Sequence, residues 1–462
     1  MRGAAAVRSR PRVNGAFFAG ALLLCLVVGR LLPRPVEALS QTQLLAVVLA
    51  VSFLMGVGYL AILRPRTALL LAFGLLGIVR FDPAPVDAVF ALLIAATTVM
   101  RPVRPRVPSF VALPLWAFVI VSILSMTNAV GLQRALEFEG ITIYMIILAV
   151  WLSWAFTQKS WVSLAVKTYI VVAAVAGLLG PVALYLPLPA RNIFLSGARA
   201  EGLFKDPNVY SAFLVPAAII LLEEVTTARL LEWRRRVVVA LFALVSIGIV
   251  VAYSRAAWLN YVIGVTTLIV VQAVRRRGLR AAVRSAGLLL VCGCVGFLLL
   301  LVTGSLAFLK ERSHLQRYDS QRFANQTSAF SDMTRHVFGF GPGQTEIRLP
   351  ISTHSAFARA AFEQGLLGLV TIALVIGGTL VCAIWLVGRT TDVNGVGTAA
   401  LLGIWLGQVA NGFFIDTVHW RHFWIVAGLI WCGYGRVGAR VGGEHQDAVP
   451  ADPIAAARGA PG

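Results

Sequence analysis

Acidic residues are scarce in this chain: 20 aspartates and glutamates stand against 40 lysines and arginines in 462 residues. Charged residues of both signs make up only 13%, while 58% are hydrophobic. A water-soluble fold of this length could not hide so much apolar surface, so an ordinary soluble enzyme is excluded and a polytopic membrane protein is expected. The five cysteines, Cys25, Cys292, Cys294, Cys382 and Cys432, all fall inside apolar stretches. Neither a disulfide framework nor a metal site is expected from them. No repeat is visible, and no glycine-rich loop leads into a Lys-Ser or Lys-Thr pair. The glycines of Phe338-Gly339-Phe340-Gly341-Pro342-Gly343 therefore read as turns rather than a nucleotide cradle. Nucleic acid is not an expected partner despite the net charge of +20, because the basic residues sit at the ends of apolar runs.

Apolar segments of spanning length fall at 15–33, 42–63, 67–80, 84–100, 109–128, 138–157, 161–187, 208–224, 237–253, 256–274, 285–309, 356–388, 396–414 and 422–435. That predicts an all-α membrane protein of about 12 to 14 helices, at about 20 residues per crossing. The third and fourth segments are short enough for one re-entrant hairpin. The stretch 356–388 is too long for one straight crossing, so its start is expected outside the bilayer. The N-terminus, with Arg8, Arg10 and Arg12 before an apolar run and Val36-Glu37-Ala38 after it, resembles a signal peptide. With so many spans downstream, an uncleaved first helix is the better reading.

Placing the basic N-terminus in the cytoplasm and alternating puts nearly every basic cluster inside: Arg64–Arg66, Arg101–Arg106, Gln158–Ser160, Thr226–Arg236, Arg275–Arg284, Arg389–Asn394 and the tail after Arg436. Both termini are then cytoplasmic. The transmembrane domain is expected over 1–441, with a disordered tail at 442–462. The outward connections are short ones near Ser40 and Asp82, then 129–138, 188–207, Ser254-Arg255, 310–355 and 415–421, and the large one, 310–355, lies between late helices.

The outward connections carry the candidate chemistry. Arg199 and Lys205 precede a helix start at Asp206-Pro207-Asn208, a carboxylate cap followed by proline, whose free amides attract anions. Arg255 sits where two apolar helices meet with almost no loop, a costly place for a guanidinium unless something pairs with it. His354 precedes an apolar helix that Ser352 or Thr353 can cap, and its imidazole can take a proton from a hydroxyl near neutral pH. Arg359 and Glu363 are four apart on one helix face and read as a structural ion pair. Glu363 lies nine residues from His354, about 180° around a helix, so the two are not expected to work together. In the last outward turn, Asp416, His419 and Arg421 either complete a site or accompany an interfacial belt with Trp420 and Trp424.

At least two arginines and a histidine can thus face one outward chamber, without a carboxylate cluster suited to Mg²⁺. Arginine's fork fits phosphate oxygens. A reaction using this inventory has a diphosphate leaving group and a hydroxyl nucleophile, with arginines stabilising the departing charge. Three pieces of the chain resemble the O-antigen ligase and polymerase family: Arg199 through Asn208, then Ser254-Arg255-Ala256, then His354-Ser355-Ala356-Phe357 with Glu363-Gln364-Gly365-Leu366-Leu367-Gly368. The resemblance covers roughly 190–375 by motif.

The resemblance implies a bacterial plasma-membrane glycosyltransferase that moves a glycan from a polyprenyl-diphosphate carrier to a glycan, lipid or protein hydroxyl. It implies inversion at the sugar and no metal or other cofactor. By motif, Arg199 and Arg255 would hold the diphosphate and His354 would be the base; from their place in the sequence, Lys205 would join the arginines, and Asp206, Asn208, Arg359, Glu363, Asp416, His419 and Arg421 are candidates for support. Ser355 departs from the family, which often has asparagine there. Two other classes compete. A flippase for lipid-linked sugars would need two similar halves and a charged path through the bilayer. A metal-dependent polyprenyl-phosphate glycosyltransferase would need acidic residues in the first outward loop, which offers only Glu37.

Overall fold

The computed structural model describes residues 41–81, 84–187, 189, 191–227, 229–275, 278–314, 317–349 and 351–441. The expected first helix at 15–33, Cys25 and the expected tail at 442–462 lie outside them.

The chain is a bundle of helices with two tiny hairpins. The first half comprises α1 (Gln41–Leu63), α2 (Pro65–Gly74, extended by a 3₁₀ turn), α3 (Pro85–Met100), α4 (Ser109–Ser125), α5 (Leu132–Ala155) and α6 (Lys159–Tyr185). The hairpin β1 (Leu195–Ser196) with β2 (Arg199–Ala200) leads into α7 (Pro207–Thr227), α8 (Arg235–Val251), α9 (Arg255–Val274) and α10 (Leu279–Val302). The long connection holds α11 (Leu306–Ser313), α12 (Arg317–Asp332) and α13 (Thr345–Arg348). Then come α14 (Ala356–Glu363), α15 (Gly365–Arg389), the hairpin β3 (Asp392–Val393) with β4 (Val396–Gly397), α16 (Thr398–Gly412) and α17 (Arg421–Val441).

Seven helices among the described residues, α5, α6, α7, α9, α10, α15 and α4 with its trailing turn, are long and apolar enough to cross a membrane. Shorter apolar stretches run over Val47–Leu63, Pro65–Gly77 and Pro85–Met100. Within a bilayer, helices satisfy every backbone polar group internally, which is why so apolar a chain resolves into them.

Proline at the first positions of α2, α3 and α7 starts those helices without wasting an amide. The stretch 356–388 is interrupted at Gly365, whose φ of +69° separates short α14 from the longer α15. The segment from Gly339 to Gly343 carries three glycines at positive φ, and it packs on that break: Phe340 N–H donates to Phe362 O at 3.0 Å and Gly341 N–H to Glu363 O at 2.8 Å. Those glycines are turns, as their setting in the sequence implied. In the core α9 lies along α16, and Gly264 meets Gly403 so closely that a side chain on either would strike the other backbone.

The connections gather in two sets at the two ends of the bundle. At one end Arg275 Nη2 donates to Thr398 Oγ1 at 2.6 Å, Arg229 Nη1 to Thr391 O at 2.6 Å and Asn394 Nδ2 to Phe156 O at 2.5 Å. At the other, Gln344 Oε1 accepts from Val130 N at 3.1 Å, and Arg322 Nη2 donates to Phe414 O at 2.8 Å. The first set contains the basic turns and the second the polar, chemistry-bearing ones.

Candidate functional site

Arg199 lies on β2, turned back by Gly197 at φ +60°. Its Nε donates to Ala252 O at 3.0 Å and its Nη2 to Asn208 Oδ1 at 3.1 Å. Asn208 is held by the cap beside it: Asp206 Oδ1 accepts from the Asn208 amide at 2.5 Å as α7 begins. Lys205 stands exposed on the same loop. So Arg199 reaches the carbonyl immediately before the Tyr253-Ser254-Arg255 corner.

That corner is unusual backbone. Tyr253 has φ +50°, rare for a bulky residue, and Ser254 caps α9 with its Oγ accepting from Ala257 N at 3.4 Å. Arg255, the first residue of α9, donates from Nη1 to His314 O at 2.9 Å and from Nη2 to Asp319 Oδ2 at 2.6 Å. The partner that its position demanded is thus a carboxylate on α12, 64 residues away. Arg322, one turn along α12, stands 3.8 Å from Asp319.

The same helix fixes the approach to His354. Asn325 Nδ2 donates to Ile351 O at 2.6 Å and Gln326 Nε2 to Thr353 O at 2.8 Å. His354 repeats the first corner: φ is +50°, and a serine cap follows. The cap is Ser355, not Ser352 or Thr353 as the sequence suggested. Its Oγ accepts from Ala358 N at 3.3 Å and donates to Gly412 O at 3.3 Å. Ser352 instead takes a hydrogen bond from Arg359 Nη2 at 3.1 Å. His354 is exposed, yet the loops crowding it, with the charges of Arg322 and Arg359, hold its pKa below the ordinary 6.5. Asp206 and Asp416 oppose that shift. Their influence sets His354 between the Arg199 loop and a second ionic cluster.

The second cluster is built on Arg359. Its Nη1 lies 3.0 Å from Glu363 Oε1, the i,i+4 pair the sequence suggested, but two further carboxylates join. Glu346 is bound by the guanidinium edge, and Asp416 Oδ2 lies 2.9 Å from Nε, an ionic contact without aligned hydrogen-bond geometry. Thr345 Oγ1 donates to Glu363 Oε1 at 2.7 Å. His419 Nδ1 donates to Asp416 Oδ2 at 2.6 Å, and its Nε2 lies 3.2 Å from Thr142 Oγ1. Burial alone would push Asp416 up; His419 and Arg359 outweigh it and hold the carboxyl well below its usual range. Burial would likewise lower His419, but Asp416 holds it above its ordinary value.

The last outward turn therefore splits. Asp416 and His419 join the Arg359 cluster. Arg421 does not: it grips Asp87 of α3 through Nε, at 2.6 Å, and Nη2. Nor do Trp420 and Trp424 form an exposed belt. Both are buried, and Trp424 Nε1 donates to Val418 O at 2.6 Å.

No sequence motif gave a hint of a further feature on α9, the helix that leaves the first corner, and on α16, which packs along it. Asn260, Gln408 and Asn411 are fully buried, and their amide groups have no hydrogen-bond partner among the described residues. Gly407 meets Asn260 across the helix pair, and Ser355 bonds the carbonyl next to Asn411. Polar side chains inside spanning segments were the signal that could have found them.

Fold and site together describe a multi-span, all-α membrane protein with an arginine- and histidine-bearing site at one end of its bundle. Residues 240–373 match the family model described as O-antigen ligase, so that stretch is similar to the O-antigen ligase family. The matched stretch contains Arg255, His354, Arg359 and Glu363; Arg199 and Asp416 fall outside it. No curated protein matches the chain.

Proposed function

We propose that this protein transfers a glycan from a polyprenyl-diphosphate carrier to an acceptor hydroxyl at the extracytoplasmic face of a bacterial plasma membrane. The observation that carries the reading is the joining of three distant segments at one end of the bundle. Arg199 is tied to the Ala252 carbonyl, Arg255 to Asp319 on α12, and α12 to the Ile351 and Thr353 carbonyls that lead into His354.

In the reaction, the acceptor oxygen attacks the anomeric carbon as the bond to the diphosphate oxygen breaks, and the single displacement inverts that carbon. His354 takes the acceptor proton, a role suited to an imidazole kept neutral at pH 7. Arg199 and Arg255, with Lys205 nearby, receive the charge that develops on the departing polyprenyl diphosphate. These cations do the work that other enzymes give to a metal. Of the carboxylates near these residues, Asp319, Glu346, Glu363 and Asp416 are each engaged by a guanidinium, while Asp206 accepts from the Asn208 amide and Glu139 from Ser122. The buried amides of Asn260, Gln408 and Asn411 are of the chemistry that binds sugar hydroxyls. The extracytoplasmic assignment is supported by the basic turns gathering at the opposite end of the bundle.

The test is transfer from a defined polyprenyl-diphosphate glycan to candidate acceptors, with the product read by mass spectrometry and EDTA present. Arg255→Ala should lower the rate about 10²- to 10³-fold, the loss expected for one charge-stabilising donor, and His354→Ala by at least as much. Both proteins should purify folded. Full transfer by both variants overturns the assignment of these residues, and inhibition by EDTA overturns its metal independence.

A further inference from the structure

At the end of the bundle opposite the candidate site, where the basic turns gather, lies an open cavity of about 300 Å³. Its walls include Lys159, Thr390, Asp392, Asn394, Gly433 and Arg436. Lys159 is the first residue of α6, and Arg436 projects from α17 across from it. Gly433 carries no side chain, which leaves room between α17 and the β3–β4 hairpin.

The charges are unequally committed. Asp392, the carboxylate among these wall residues, is taken up within the hairpin: its Oδ1 accepts from Gly395 N at 2.9 Å and its Oδ2 from Thr391 Oγ1 at 3.4 Å. Arg436 holds Asn394 Oδ1, and Asn394, at φ +52°, is pinned by donating to Phe156 O at 2.5 Å. Lys159 is exposed and makes no hydrogen bond or ion pair among the described residues. Arg106 packs against Gly435 beside Arg436, adding a further cation at this end. A concave, net-positive site with a hydroxyl, an amide and an unpaired ammonium, set at the level of the helix ends, is built for an anion with several acceptor oxygens.

We infer that this cavity binds a phosphate group at the membrane interface, with Lys159 and Arg436 as its cations, the second Asn394 amide hydrogen as a donor, and Thr390 joining once its hydroxyl leaves Asp392 O, to which it donates at 3.0 Å. The group can come from an anionic phospholipid head group or from a soluble phosphate. Neither source depends on the glycan-transfer reading, because the cavity and the corner residues lie at opposite ends of the bundle.

Full-length protein in detergent is titrated with phosphatidylglycerol, phosphatidylcholine and inorganic phosphate, and bound species are counted by native mass spectrometry. Lys159→Ala is the clean variant, since that side chain supports no contact whose loss would disturb folding; its melting temperature should equal that of the wild type. Binding should weaken roughly fivefold, the factor for removing one basic side chain beside an anionic head group. Lys159→Arg should restore it. Phosphatidylglycerol binding that inorganic phosphate does not displace identifies the head group as the source. Displacement by inorganic phosphate identifies the soluble ion. Equal binding of all three ligands by wild type and Lys159→Ala, or no preference for phosphatidylglycerol and phosphate over phosphatidylcholine, overturns the inference.

Discussion

Arg359 is the side chain whose removal should cost this protein most. It is buried, and it is the cation shared by Glu346, Glu363 and Asp416. Arg359→Met keeps most of the volume and removes the charge. Glu363, 1% exposed, is then left with only neutral donors, Thr345 and the Gly343 backbone, to satisfy its carboxylate. Breaking a buried pair from one side costs about 3–5 kcal/mol, because the surviving charge stays desolvated without its partner. Thermal and denaturant unfolding of the detergent-purified variant reads that loss. Adding Glu363→Gln should recover part of it, with a coupling of about 1–3 kcal/mol in the double-mutant cycle. The recovery is partial because Glu346 and Asp416 still lack their cation. A destabilisation by Arg359→Met below about 1 kcal/mol, the value typical of an exposed pair, would refute the claim that this cluster is desolvated.

The pH behaviour of the two histidines should differ in sign. With His354 as the proposed base, transfer should fall as pH drops through its depressed pKa, below the ordinary 6.5. Arg322→Gln removes a cation that disfavours the imidazolium and should shift this acid limb upward; Asp206→Asn should shift it downward. An unmoved limb in both variants would show that another group controls it. His419 is held above its ordinary value by Asp416, so its contribution to stability is present at low pH and lost as pH rises through the raised value. Asp416 itself is depressed, so its contribution fails only in strong acid, as pH falls through its lowered value. Melting temperature should therefore decline on the alkaline side, and Asp416→Asn should flatten that decline at a lower overall stability.

The bundle was legible because its signal is local. Runs of about 20 apolar residues announce helices, and basic turns alternating with polar ones divide the connections into the two sets that close opposite ends of the structure. The break before α15 falls in the stretch that was too long for one crossing, though sequence alone did not place it at Gly365. The site was legible only in its cations and its histidine. Nothing near Arg255 names Asp319, which sits in a polar helix 64 residues on, because the pairing depends on how the long connection folds back over the bundle. The same holds for Glu346 in the Arg359 cluster. Arg421 was misread in company for the same reason: sequence places it beside Asp416 and His419, whereas a helix turn aims it at Asp87 of α3.

Ser355 shows how the fold fixes the backbone at His354. The two corners share one construction: a non-glycine residue at φ +50°, then a serine whose hydroxyl takes an amide of the helix it opens. A left-handed bulky residue costs about 1–3 kcal/mol and persists only where its surroundings fix it. Ser355 supplies that fixing at His354, by capping α14 and by bonding the Gly412 carbonyl of α16. Asparagine caps a helix as well as serine does, so either residue can follow the histidine. Ser355→Asn should then leave both stability and transfer close to wild type. Ser355→Ala should cost about 1 kcal/mol and, by freeing the imidazole's backbone, lower kcat more than it raises KM. If Ser355→Ala transfers glycan at the wild-type rate while melting earlier, the cap holds the helix but not the base. If Ser355→Asn loses transfer while Ser355→Ala keeps it, capping is not what this position contributes.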